Sequence, residues 1–219
     1  YVDSYGIPAI VLADGPAGIR ISQNYTSYPT KEDAENKTNG VTMYQYCTAW
    51  PIGTLLAQTW DVDLIKEVGK SVGEEMVEMG VTLWLAPGMN IHRNPLCGRN
   101  FEYFSEDPFV SGMTAIAETS GVQSNPGVGV TLKHFAANNQ EDDRNTTNSV
   151  ISERALREIY LKGFEMAVKA TEPMAIMSSY NKLNGTYTMN EYDLLEDITR
   201  GEWGYDGLVM TDWFDAGSD

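Results

Sequence analysis

The feature of this sequence that most constrains its fold is the alternation of short apolar runs with longer amphipathic stretches. Strands separated by helical segments build βα units on a parallel sheet. Residues 8–13 (PAIVLA), 81–86 (VTLWLA), 128–134 (VGVTLKH), 174–179 (MAIMSS) and 208–211 (LVMT) read as strands, with a weaker candidate at 48–51. Between them, Asp61 opens a helical pattern in which Leu64, Val68, Val72, Met76 and Met79 share a face. Asp107-Pro108 is a second start signal, because proline is tolerated in the first helical turn. Ser152 caps a third pattern carried by Leu156, Ile159, Tyr160, Gly163, Phe164 and Ala167. The polar stretch from Ser22 to Asn39 interrupts the alternation and is expected to be an extended loop. The count of about six βα units falls two short of the eight that close a barrel. The expected fold is therefore α/β, a (β/α)8 TIM-like barrel that is incomplete, as one domain over residues 1–219.

Composition removes several function classes. The 219 residues, 42% of them hydrophobic, suffice for one core. A formal net charge of -16 argues against a nucleic-acid partner, which needs a basic face. No apolar stretch approaches the ~20 residues of a membrane span, so no membrane partner is expected. Cys47 and Cys97 have no metal-ligand spacing and read as buried thiols. The methionines on the helical stripes read as core filler, and neither metal nor cofactor is expected. The start at Tyr1 and the stop at Asp219 suggest that both ends have been cut.

In a barrel the residues that follow each strand converge on one face, however far apart they lie in sequence. Here those positions hold DGPAGIR at 14–20, a run from Asn90 to Pro108, KHFAANNQEDDR at 133–144, SYNKLNG at 179–185, and Asp212-Trp213. Arg20, Arg93, Arg99, Lys133 and Arg144 are five of only 15 basic residues in the chain. Carboxylates, amides, cations and aromatics in this mixture suit a sugar, whose hydroxyls donate and accept hydrogen bonds and whose C–H face stacks on rings. The same charges also fit loop-holding ion pairs, the reading favoured for Arg93 and Glu102. Asp212 has two readings of its own, a carboxylate at a strand end or the N-cap of a helix opened by Asp-Trp-Phe-Asp.

Five of these motifs in order, DGPAGIR at 14–20, GRNFEYFSEDP at 98–108, KHFAANNQE at 133–141, MSSYNKLNG at 177–185 and GLVMTDW at 207–213, resemble glycoside hydrolase family three in its β-glucosidase-like branch. The resemblance covers nearly the whole chain. It implies a (β/α) barrel and a retaining mechanism on terminal β-linked glycosides, with Asp212 as the nucleophile that attacks the anomeric carbon. Such a mechanism needs an ionised Asp212, and neighbouring cations are expected to favour that form. By the same resemblance Asp14 grips glycone hydroxyls, and Arg20, Arg99, Lys133, His134 and Arg144 complete the pocket. Tyr180 lies near the nucleophile, and Trp213 forms an aglycone platform. The family's N-acetylglucosaminide branch draws an Asp/His pair from a loop after KHFPG, which KHFAANNQE lacks. In the glucosidase-like branch a Glu from a following α/β sandwich domain is the acid/base, so that domain of the same polypeptide is an expected partner. The 219 residues alone are expected to be inactive. Two alternatives remain: an aldolase-type barrel with Lys133 as Schiff-base lysine, and a non-catalytic sugar-binding barrel.

Overall fold

The structure is a computed structural model that describes residues 5–6 and 9–213. Five strands, β1 (Leu12–Ala13), β2 (Leu83–Trp84), β3 (Gly129–Phe135), β4 (Ala175–Ser178) and β5 (Leu208–Met210), form one sheet. They lie side by side in chain order, and every neighbouring pair is parallel. Each crossover carries helix, as singly wound βα units require. The chief helices are α1 (Val62–Met79), α2 (Pro108–Val122) and α3 (Lys162–Thr171), with a wider π-type turn of helix over Asp193–Glu202 before β5. This is the open arc of a TIM-barrel-like α/β fold. Val11 and Leu12 at one edge and Leu208 at the other are exposed, among the described residues.

The capping signals act as the sequence predicts. The Asp61 carboxylate accepts the Leu64 N–H at 3.0 Å, and the Asp107 carboxylate accepts the Val110 N–H at 2.8 Å, each satisfying an orphan donor of the first turn. The Ser152 hydroxyl accepts the Ala155 N–H at 3.3 Å, opening Glu153–Ala155, a π turn at Leu156–Tyr160, and then α3. The Met76 and Val72 stripe of α1 is buried, as are Phe164 and Ala167 of α3. β3 runs through the centre of the core with all seven residues buried.

Two expectations are corrected. Residues 48–51 are not a strand: the Thr48 N–H donates to Glu75 at 2.8 Å and the Trp50 N–H to the Ala17 carbonyl at 2.9 Å, which ties this segment to the 14–20 turn. Pro51 has no N–H to give a ladder. The polar stretch 22–39 is not an unstructured loop. Asn24–Ser27 pairs antiparallel with Val41–Tyr44, and the connection contains a short helix, Lys31–Asn36, capped by Thr30. Of the two cysteines, Cys97 is buried and Cys47 half-buried; both are free thiols.

Candidate active site

The turn after β1 is built by two glycines. Gly15 and Gly18 hold φ of 111° and 114°, and a Cβ there would meet the Gly18 and Thr48 carbonyl oxygens at 2.1 and 2.3 Å. The Arg20 N–H returns to the Asp14 carbonyl at 2.8 Å, and the Trp84 indole donates to the Gly15 carbonyl at 3.0 Å. Asp14 is thereby fixed at the sheet's rim with its carboxylate against Lys133 Nζ and an Arg20 guanidinium nitrogen, each at 2.7 Å. Burial pushes the Asp14 carboxyl up, but the Lys133 charge and hydrogen bond, the Gly15 N–H and Arg20 outweigh it. The group sits below the usual carboxylate range.

β3 delivers two neighbouring side chains to one cleft. Its ladder with β4 shifts register between Leu132 and Phe135, a bulge-like irregularity of the kind that re-aims side chains beside active sites. Lys133 and His134 both line the cleft, although adjacent residues of a regular strand face opposite ways. Asn90 clamps the backbone of His134 at both ends: its amide NH2 donates to the His134 carbonyl, and its oxygen accepts the His134 N–H, both at 2.8 Å. Burial, reinforced by Arg99, Lys133 and Arg144, holds His134 well below its ordinary pKa, so it is neutral.

Asp212 follows β5, is 8% exposed, and places Oδ2 3.8 Å from His134 Nε2. With the imidazole neutral this is a contact between a carboxyl and a ring nitrogen, not an ion pair. Among the described residues Oδ2 has no hydrogen-bond partner. Burial pushes the Asp212 carboxyl up, Arg99, Lys133 and Arg144 pull it down, and Asp14 adds to the rise. The cations favour the ionised form as expected, but burial outweighs them and the net direction is upward.

The remaining cations are anchored by carboxylates of their own loops. Arg99 is ion-paired with Glu102, and Arg144 with Glu141 at 2.7 Å, while its guanidinium lies 4.7 Å from the centre of the Tyr180 ring. The loop-holding reading of Glu102 is met, with Arg99 rather than Arg93 as the partner. Asp14, Arg99, Lys133, His134, Arg144, Tyr180, Asp212 and Trp213 line a single cavity of about 220 Å³, together with Leu85 and Met177. Arg20 alone of the expected pocket residues does not line it. Its side chain is 75% exposed and faces a neighbouring cleft of about 610 Å³ that shares Asp14 and Arg99. The capping reading of Asp212 concerns residues beyond Trp213, which lie outside the described residues. The roles of Asn90 and Tyr103 beside His134 were missed in the sequence; the only signal was a polar and an aromatic side chain within strand-end runs.

A cleft with one under-satisfied carboxyl, one cation-saturated carboxylate, a neutral imidazole and two rings suits a neutral, hydroxyl-rich ligand. The sequence matches the glycosyl hydrolase family 3 N terminal domain over residues 12–218. It is 47% identical over 214 residues to the thermostable beta-glucosidase B of Acetivibrio thermocellus, covering 97% of this chain and 27% of that protein. It is 46% identical over 212 residues to the exo-alpha-(1->6)-L-arabinopyranosidase of Bifidobacterium longum, again 97% of this chain and 27% of that protein. Beta-glucosidase 3B from Thermotoga neapolitana, solved in complex with glucose, matches with a TM-score of 0.87 and 53% identity over 97% of this chain and 28% of that one. The chain thus spans about a quarter of the length of the relatives it matches. On the strength of that match, and of the strand-end cleft that accompanies it, the chain belongs to glycosyl hydrolase family 3.

Proposed function

We propose that this chain carries the nucleophile and the glycone pocket of a retaining β-glycosidase that removes terminal β-linked sugar residues. The observation that carries the proposal is Asp212, a nearly buried carboxyl that lines a polar cavity and has one oxygen without a hydrogen-bond partner among the described residues. In the reaction an Asp212 oxygen attacks the anomeric carbon as the bond to the aglycone oxygen breaks. A carboxylic acid roughly 5–5.5 Å away gives that oxygen its proton, then takes a proton from the water that releases the sugar from Asp212.

Nothing described in the cleft suits the second role. Asp14 is held ionised by Lys133 and Arg20, and Glu102 and Glu141 are tied to Arg99 and Arg144. The resemblance to the β-glucosidase-like branch implies an acid/base Glu in a sandwich domain of the longer polypeptide, and on that reading the 219 residues alone should not turn over. Asp14, Lys133, Arg99 and Arg144 bind the sugar hydroxyls through charge-assisted hydrogen bonds, and Trp213 offers an exposed ring for the aglycone. The names of the relatives point to β-glucosides and, for one of them, to an alpha-(1->6)-L-arabinopyranoside.

The aldolase-type alternative is disfavoured because Lys133 Nζ is held in an ion pair at 2.7 Å, and an ammonium lacks the lone pair that an imine needs. The test is mass spectrometry of the full-length protein after a 2-fluoro-β-glycoside. A stoichiometric sugar adduct on the peptide holding Asp212 is expected. Turnover of an aryl β-glucoside with the adduct on another carboxylate would overturn the assignment.

A further inference from the structure

We infer that Tyr103 is a positioning residue that holds His134 as the Nε2–H tautomer, so that His134 offers Asp212 and the bound sugar a fixed N–H donor rather than a lone pair. The inference rests on the glycosidase reading for its catalytic consequence, but not for its geometry.

A neutral imidazole has one donor nitrogen and one acceptor nitrogen, and the choice is set by what each one meets. Nδ1 of His134 has two polar neighbours, the Tyr103 hydroxyl at 3.2 Å and Asn90 Oδ1 at 3.3 Å. The Asn90 amide cannot turn over, because its NH2 already donates to the His134 carbonyl and its oxygen already accepts the His134 N–H. Asn90 therefore presents only an acceptor to Nδ1. The Tyr103 hydroxyl can donate to it.

Consider the two tautomers in turn. With the proton on Nδ1, the ring donates to the second lone pair of Asn90 Oδ1 or to the Tyr103 oxygen. Its Nε2 lone pair then faces Asp212 Oδ2, two acceptors 3.8 Å apart, and Oδ2 gains no donor. With the proton on Nε2, the Tyr103 hydroxyl donates to Nδ1 and Nε2–H points at Asp212. At 3.8 Å this is an electrostatic contact rather than a hydrogen bond, but it turns an N–H and not a lone pair towards a buried oxygen that has no hydrogen-bond partner among the described residues. Nδ1 then faces Asn90 Oδ1 at 3.3 Å, a contact offset by the hydrogen bond it accepts from Tyr103 at 3.2 Å. The doubly protonated ring is disfavoured by burial and three nearby cations, and burial likewise pushes the Tyr103 phenol up and keeps its proton in place.

The tyrosine is held for this task. It is wholly buried, and its ring meets the His134 ring edge-on with centroids 6.1 Å apart at 70°. A Cβ on Gly88 would come within 3.1 Å of the same ring, so the chain leaves room for it there. Tyr103 does not line the cavity, so its effect on the reaction passes through His134.

The test uses the full-length protein with 15N-labelled histidine, the His134 signals being assigned from a His134→Asn sample. Long-range proton–nitrogen spectra should show Nδ1 bare and Nε2 protonated. Tyr103→Phe keeps the ring and removes only the hydroxyl. It should bring up a population protonated at Nδ1 and lower kcat/KM on an aryl β-glucoside about tenfold, with little change in Tm. A wild-type ring protonated at Nδ1, a tautomer unchanged by Tyr103→Phe, or a changed tautomer with unchanged kcat/KM would each overturn the inference. The wild-type spectrum needs no turnover, so a protein with this tautomer and no glycosidase activity would refute the function while leaving the tautomer assignment intact.

Discussion

Asp14 and Asp212 face one cavity from the two outermost strands of the sheet, and their surroundings differ in kind. Asp14 is saturated: two cations sit at 2.7 Å and its carboxyl lies below the usual range. Asp212 is more deeply buried, has an oxygen without a hydrogen-bond partner among the described residues and a neutral imidazole beside it, and its carboxyl is pushed up. A carboxylate whose charge is already neutralised by cations is a poor nucleophile but a rigid acceptor for hydroxyls. A desolvated one with an open lone pair is poised to form a bond. On the proposed reading, local partners, more than residue type, divide binding from reaction in this cleft.

The sharpest way to break this comparison is to neutralise each aspartate in the full-length protein. Asp212→Ala should lower kcat on an aryl β-glucoside roughly 10⁴- to 10⁶-fold, the scale of nucleophile loss, with the fold retained by circular dichroism. Asp14→Asn should cost roughly 10- to 100-fold in kcat/KM, the worth of one or two charge-assisted hydrogen bonds. Covalent labelling of Asp212 should persist in Asp14→Asn. Equal losses in the two variants would erase the distinction drawn between them.

Much of this arrangement was legible in the sequence, and the parts that were not share a physical reason. Caps at Asp61, Asp107 and Ser152 act over three residues, so local spacing reveals them. Apolar runs reveal β3 and β4 because those strands are buried on both faces. The hairpin at 24–27 and 41–44 has all eight residues exposed, so no alternation marks it. The clamp of Asn90 on His134 spans 44 residues and the hydroxyl of Tyr103 spans 31, distances at which spacing carries no information. Arg20 was expected in the pocket from its motif, yet the turn closed by Gly15 and Gly18 leaves it outside.

A third carboxyl sharpens the contrast by showing burial without cations. Glu118 on α2 is 3% exposed, and burial alone pushes it up to about 8. Its folded pKa exceeds the ordinary 4.5, so the folded state holds the extra proton between these values. The contribution of Glu118 to stability should be fully present below about pH 4.5 and fall by about 1.4 kcal/mol per pH unit as pH rises towards 8. Glu118→Gln should remove that slope. Urea midpoints of the two proteins that stay parallel from pH 5 to 8 would show that Glu118 titrates normally.

The cations beside Asp212 restrain the same effect. Arg144 lowers the Asp212 carboxyl, so Arg144→Gln should raise it and move the acid limb of kcat/KM to higher pH. Activity at low pH would then be lost sooner. An acid limb that stays in place would mean that it reports another group.

The smallest effect is expected at Arg20. Asp14 is shared between a buried cation, Lys133 with its side chain 4% exposed, and a solvated one, Arg20 at 75%. An exposed ion pair contributes little because water and salt screen it, so Arg20→Ala should change kcat/KM by no more than about threefold. Lys133→Met removes the partner that water does not replace, and its loss should be at least tenfold larger. Parallel Michaelis–Menten measurements at low and high ionic strength separate the two, since only the Arg20 effect should fade with salt. If Arg20→Ala proved as damaging as Lys133→Met, the exposed guanidinium would have to swing into the cavity when sugar binds, and the saturation of Asp14 would be a property of the bound state too.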